Sequence, residues 1–222
     1  MLFDMDGTLI DSEKLWDVAL NELAAHYGGR LSDSARLAMV GSDLTTSMRL
    51  LHDDLGQPWR DARGGAEWLT RRVAELFAVG IEWRPGAAGL LRAVRDAGVP
   101  TALVTSTERG LVEVALRTLG RHHFDVVVCG DEVPATKPDP APYLAAVAAL
   151  GVPAGQCVAV EDSPAGVASA HAAGVAVLAV PAEVMLTVPA GVALRTTLAG
   201  LSVEDLAALV PADRAGHPVT AN

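Results

Sequence analysis

Two carboxylates stand two residues apart near the start of this sequence, Asp4 and Asp6 in "MLFDMDGTLI". Three other short runs carry groups of similar promise: Thr105-Ser106 in "LVTS", Lys137 in "TKPDP" and Glu161-Asp162 in "VAVED". Carboxylates gathered at one point repel one another unless a cation sits among them. Hard oxygen ligands with no histidine or cysteine nearby suit Mg²⁺. Such a cation could hold a phosphate oxygen while Lys137 and the Thr105 hydroxyl take others. Two aspartates also allow a nucleophile and a proton-transfer group to be separate residues. Plainer readings exist for each. Asp4 and Asp6 could shape a turn, Thr105 and Ser106 could cap a helix, and Glu161 and Asp162 could cap one beginning near Pro164. Lys137 stands out in a chain with seventeen Lys and Arg, of which only Lys14 and Lys137 are lysine. A lysine in an arginine-biased sequence points to a need for a compact ammonium rather than a planar fork.

These residues matter together only if the fold gathers them. From about residue 85 helical stretches end at Gly98, Gly120, Gly151 and Gly174, each followed by a short apolar run: "VPTALVTS", "FDVVVCG", "QCVAVED" and "VAVLAV". Glycine past a helix supplies the left-handed residue that ends it, and the runs read as strands buried on both faces. The alternation predicts an α/β fold with a parallel sheet and helices on both sides. "MLF" would be one more strand. Ligands of such sheets sit beyond the carboxyl ends of the strands. Asp4, Asp6, Thr105, Ser106, Glu161 and Asp162 fall there, and Lys137 lies just before a helix that Pro140 can begin.

Residues 13–84 have a different texture. "EKLWDVALNELAAHYGG", "LTTSMRLLHDDLG" and "AEWLTRRVAELFAVG" keep helical spacing, and no strand pattern interrupts them. All four tryptophans (16, 59, 68 and 83) fall in this region. It reads as a helical insert between the first strand and the rest of the sheet. The segment 172–194 reads as a strand followed by loop, and an alanine- and proline-rich tail from 206 to 222 is expected to fray.

Composition narrows the partners. The chain has 222 residues, is 50% hydrophobic and 20% charged, and carries a net charge of −10. That is a globular composition with no general affinity for nucleic acid or anionic membrane. Acidic residues interrupt the start where a secretory leader would need basic and then apolar residues, so a cytoplasmic protein is expected. The two cysteines, Cys129 and Cys157, lie in apolar runs and are expected to be buried reduced thiols. The histidines show no metal-binding spacing.

"DMDGTL", "VTS", "KPDP" and "ED", in this order, resemble the four motifs of the haloacid dehalogenase (HAD) superfamily, in particular its phosphatase and β-phosphoglucomutase-like branch. The likeness spans roughly residues 2–180. It implies a Rossmann-like core (1–12 and 85–205) with an α-helical cap (13–84) that selects substrate. By resemblance Asp4 is the nucleophile that forms an aspartyl-phosphate, and Asp6 is the general acid/base. Thr105, the Ser106 N–H and Lys137 hold the phosphoryl group. Asp4, the Asp6 carbonyl, Asp162 and Glu161 hold Mg²⁺, Glu161 directly or through water. Relatives usually carry more apolar residues ahead of the first aspartate, so the first strand is expected to lack part of its length.

The implied activity is Mg²⁺-dependent hydrolysis of a small phosphorylated metabolite by a monomer or weak dimer. A β-phosphoglucomutase-like isomerase is the alternative. In that subgroup a cap-helix histidine and a cap-loop arginine engage the acid/base and the substrate phosphate. Here the matching positions are Trp16 and the arginine-free loop "VGSDLTTSM", which disfavours the isomerase. Trp16 and Thr45 are the candidate specificity residues. A metal-free dehalogenase would not need Asp6 or the acid pair, and a non-catalytic binding protein would be expected to have lost a motif residue.

Overall fold

The computed structural model describes residues 1–182 and 186–210. Six strands form a single sheet: β1 (Leu2–Phe3), β2 (Ala102–Val104), β3 (Val126–Val128), β4 (Val158–Glu161), β5 (Ala176–Ala179) and β6 (Ala193–Leu194). Their order is β3-β2-β1-β4-β5-β6 and every neighbouring pair is parallel. The order reverses at β1, between β2 and β4, and that switch point is where an open α/β sheet leaves a crevice for a ligand.

β1 is short but continues beyond its two residues. The Asp4 N–H donates to the Val160 carbonyl at 3.1 Å, and the Thr105 N–H likewise extends β2 onto Val128 at 3.0 Å. The residues that leave the sheet at this edge are therefore still held by its hydrogen bonds.

Period-two alternation divides the strand residues between two cores. Phe3, Leu103, Val160 and Leu178 join one cluster; Leu2, Ala102, Val104, Ala159, Val177 and Ala179 join the other. Five helices accompany the sheet: α5 (Ala87–Asp96), α6 (Arg109–Leu119), α7 (Ala141–Leu150), α8 (Pro164–Ala172) and α9 (Val203–Ala207). α7 and α8 cover the second cluster, while the apolar faces of α5 and α6 enter the first.

Between β1 and α5 the chain forms α1 (Glu13–His26), α2 (Asp33–Met39), α3 (Leu44–Asp54) and α4 (Ala62–Val79). α1 packs along α4, and α2 and α4 flank α3. Side-chain caps start three of the four. Ser32 accepts from the Ala35 N–H, Asp43 from Thr46, and Asp61 from Arg63 and Gly64. The chain enters and leaves this unit side by side: Ile10 bridges Trp83, the Asp11 N–H donates to the Glu82 carbonyl at 2.8 Å, and the Arg84 N–H to Leu9 at 2.9 Å.

Three features differ from the sequence reading. α2 was not foreseen, because its seven residues give too short a run for periodicity to register. β6 lies where only loop was expected. It is two residues long and owes its state to pairing with β5. The tail expected to fray from 206 begins inside α9, whose Leu206 is 1% exposed against the core; the part from 211 onward lies outside the described residues. No helix among the described residues is long and apolar enough to cross a membrane.

Candidate active site

The sheet edge at the switch point presents a compact ionic cluster. Lys137, 5% exposed, reaches in from the segment before α7 and donates from Nζ to Asp4 Oδ1 at 2.7 Å, Glu161 Oε1 at 2.6 Å and the Val104 carbonyl at 2.9 Å. These three bonds use all its donors. Burial works to lower the lysine pKa, but the two carboxylates outweigh it and the net shift is upward, so the ammonium stays charged.

Glu161 is fully buried and saturated. Oε1 accepts from Lys137 and from the Tyr143 hydroxyl at 2.6 Å, and Oε2 from the Asp162 N–H at 3.2 Å and the Ser163 hydroxyl at 3.4 Å. Gly166 in α8 leaves the room: a Cβ there would lie 2.0 Å from the Glu161 carboxylate. Glu161 thus orients Lys137.

Asp4 and Asp162 are the carboxylates with capacity to spare. Asp4 Oδ2 is buried and has no hydrogen-bond partner among the described residues. Burial first, then the Glu161 charge, raises the Asp4 pKa to about 7 against the pull of Lys137. Asp162 is also raised, by burial and then by Asp4 and Glu161. Its Oδ1 accepts from Thr8 at 3.3 Å. Its other oxygen lies against Gly7, where φ is +75° and a Cβ would sit 2.1 Å from Oδ2, so no larger residue fits that turn. Ligand oxygens of Asp4, Glu161 and Asp162 lie within 4.8 Å of one another. Three converging carboxylates, one ammonium and an unsatisfied buried oxygen fit a hard divalent cation.

Asp6 is held apart from this cluster. Its Oδ1 accepts from Ser12 Oγ at 2.6 Å and Trp16 Nε1 at 3.3 Å. Its Oδ2 accepts from Thr107 Oγ1 at 2.8 Å and Thr105 Oγ1 at 3.4 Å. Thr105 is buried and also accepts from the Thr107 N–H at 3.1 Å, while the buried Ser106 hydroxyl has no partner among the described residues.

A cavity of about 80 Å³ lies over these groups, roofed by α1–α3 and part of α4. Asp4, Asp6, Thr105, Ser106, Lys137 and Asp162 line it, as does Trp16. Thr45 does not. It is exposed on the outer side of α3, because the helix that Asp43 caps turns Leu44 and Ser47 inward and Thr45 away.

The sequence reading missed several participants. Ser12, Thr107 and Thr8 grip the acids, and Tyr143 holds Glu161. In the roof Arg36 pairs with Glu13 at 2.6 Å and with Asp17, and Ser42 and Ser47 share a hydrogen bond at 2.8 Å. Tyr143 gave a usable signal, as the one polar side chain in "APYLAAVAAL", since a buried phenol needs a partner. The roof residues gave none, because their meeting depends on how four helices pack.

The Rossmann-like sheet carries paired acids and a lysine at its switch point, beneath a helical roof, and so gathers its reactive groups beyond the strand ends. The chain belongs to the haloacid dehalogenase-like hydrolase family, whose profile matches residues 1–180. It is 37% identical over 183 residues to hexitol phosphatase A of Escherichia coli, covering 82% of each chain. It is 34% identical over 177 residues to fructose-1-phosphate phosphatase YqaB of the same organism, covering 78% of this chain and 92% of that one. A crystal structure of CbbY from Rhodobacter sphaeroides in complex with phosphate superposes with a TM-score of 0.82 at 29% identity, over 92% of this chain and 97% of that one. With its curated relatives, the chain is a phosphoric monoester hydrolase.

Proposed function

We propose that this protein is a Mg²⁺-dependent phosphatase of small phosphorylated sugars or polyols that works through an aspartyl-phosphate on Asp4. The observation that carries the reading is the Asp4–Lys137–Glu161–Asp162 cluster, in which Asp4 lines the cavity and keeps one buried oxygen without a partner among the described residues. An Asp4 oxygen attacks phosphorus, the ester P–O bond breaks, and the leaving oxygen takes a proton from Asp6. Water then attacks the phosphoenzyme and gives a proton to Asp6. The acyl-phosphate P–O bond breaks, and Asp4 is restored as inorganic phosphate leaves.

Lys137 holds Asp4 in place and supplies fixed positive charge beside the transferring group. The Thr105 hydroxyl, the Ser106 hydroxyl and the Ser106 N–H face the phosphoryl oxygens. Asp4, Asp162 and the Asp6 carbonyl would hold Mg²⁺, which when bound supplies positive charge that offsets the acids and the phosphate. The carboxylate-rich floor supports this assignment, because without a cation Asp4 and Asp162 are driven toward their neutral forms.

The substrate class follows the relatives, named for hexitol and fructose-1-phosphate hydrolysis, and the hydroxyl-bearing roof. A β-phosphoglucomutase-like activity is not favoured: these relatives are named phosphatases, and by the resemblance Trp16 falls where that subgroup has histidine. The test is phosphate release from a panel of phosphorylated hexitols and hexoses, with and without Mg²⁺. Release is expected to stop with EDTA and to fall at least about 10³-fold in Asp4→Asn. Activity surviving either change would overturn the mechanism.

A further inference from the structure

Asp6 is gripped from two sides by different parts of the fold. Thr105 and Thr107, on the segment after β2, hold Oδ2; Ser12 and Trp16, at the start of α1, hold Oδ1. The carboxylate therefore bridges the sheet edge and the helical roof. Of its four donors, three are hydroxyls, which can rotate and can accept as well as donate. The indole N–H only donates, and its direction is fixed by the ring. The ring in turn is fixed by α1, which buries Ala19, Leu20, Leu23 and Ala24 and packs along α4. Trp16 also lines the cavity, so the same side chain faces the space where a leaving group must sit.

We propose that Trp16 is a positioning residue that aims the Asp6 carboxyl at the leaving-group oxygen, so that docking of α1 over the sheet edge and placement of the acid/base are one event. The proposal rests on the reading of Asp6 as acid/base given above. Its consequence depends on the leaving group. An alkyl ester departs only if its oxygen takes the Asp6 proton as the P–O bond breaks. Acetyl phosphate loses acetate, whose oxygen keeps the bonding pair and leaves without a proton. A misplaced Asp6 therefore slows the first reaction and spares the second.

The experiment compares kcat/KM for a hexitol phosphate and for acetyl phosphate in the Mg²⁺-loaded enzyme. This parameter covers steps only through P–O cleavage, so the later hydrolysis of the phosphoenzyme does not enter. Trp16→Phe and Trp16→Leu, which lack the donor, are expected to lower the hexitol phosphate value about tenfold more than the acetyl phosphate value. Trp16→His, which keeps a ring N–H, is expected to restore most of the ratio. An equal fall for both substrates, or an unchanged ratio in a donorless variant, would overturn the proposal. Should neither donorless variant fold, a tenfold loss of ratio in Trp16→His would overturn it, and a preserved ratio would support it. Asp6→Asn separates this from the underlying reading. If it lowers both substrates alike, the acid/base assignment fails. If it alone shifts the ratio, only the role of Trp16 fails.

Discussion

The floor and the roof of the cavity are built on opposite plans. The floor is charged and buried: Asp4, Lys137, Glu161 and Asp162 are at most 5% exposed, and each sits at or close to a strand end or helix start. The roof is a bundle of helices that mixes apolar side chains (Leu20, Met39, Leu44, Leu69) with hydroxyls and an ionic group in which Arg36 meets Glu13 and Asp17. Charge that must act on any phosphate is fixed to the sheet; groups that could recognise one leaving group are carried by packing that can vary. The two touch at few polar points, among them the Asp6 bridge and the contact of Thr136 with Asp43 at 3.4 Å. On the function proposed above, the floor would carry the chemistry and the roof the selection.

The sharpest way to break that comparison is to remove the floor's cation. Lys137→Met leaves Asp4 and Glu161 facing each other in a buried site, which is expected to cost about 3–5 kcal/mol of stability in urea unfolding. It should also lower kcat at least about 100-fold. Lys137→Arg should recover stability better than activity, because a planar fork cannot reach the same three acceptors from one nitrogen. If Lys137→Met retained both stability and turnover, the floor would not be the ionic lock described.

How much of each region could be read from the sequence follows from the same division. Asp4, Asp6, Thr105, Glu161 and Asp162 were legible because each stands where a recognisable strand stops, and strand ends in a parallel sheet share one edge. Lys137 was legible through its motif and its rarity. What the sequence concealed at the floor was allegiance. Glu161 accepts hydrogen bonds from Lys137, 24 residues away in sequence, and from Tyr143 on α7, 18 residues away. In the roof the helices α1, α3 and α4 were legible from periodicity, yet their inward faces were not. Thr45 looked as close to the site as Ser47, and only the turn of α3 separates them. Arg36 could not be seen at all, since α2 itself escaped notice.

The next test acts on the roof and is smaller. Arg36→Met removes the partner of Glu13 and Asp17 while leaving the floor intact. It is expected to raise KM for hexitol phosphates several-fold to about tenfold and to leave kcat within about threefold, the signature of lost uniform binding. A kcat loss matching that of Lys137→Met would erase the distinction between roof and floor.

The smallest expected effect is a pH dependence confined to the helical unit. His52 on α3 is 2% exposed, its Nε2 has no hydrogen-bond partner among the described residues, and it lies beside the Tyr27 ring at 5.6 Å between centroids. Burial first, then Arg60, lowers its pKa, against Asp53 and Asp61, which raise it. The folded protein therefore resists protonating His52, whereas the unfolded chain takes the proton near the ordinary value of about 6.5. Its contribution to stability is full above that pH and is lost as pH falls below it, because the unfolded state then binds the extra proton. Thermal unfolding of the wild type should weaken between about pH 6.5 and 5 relative to His52→Phe, and the difference between them should be constant above about pH 7.5. Parallel curves across that range would mean that His52 keeps its proton when folded, and the roof would then hold a buried charge of its own as the floor does.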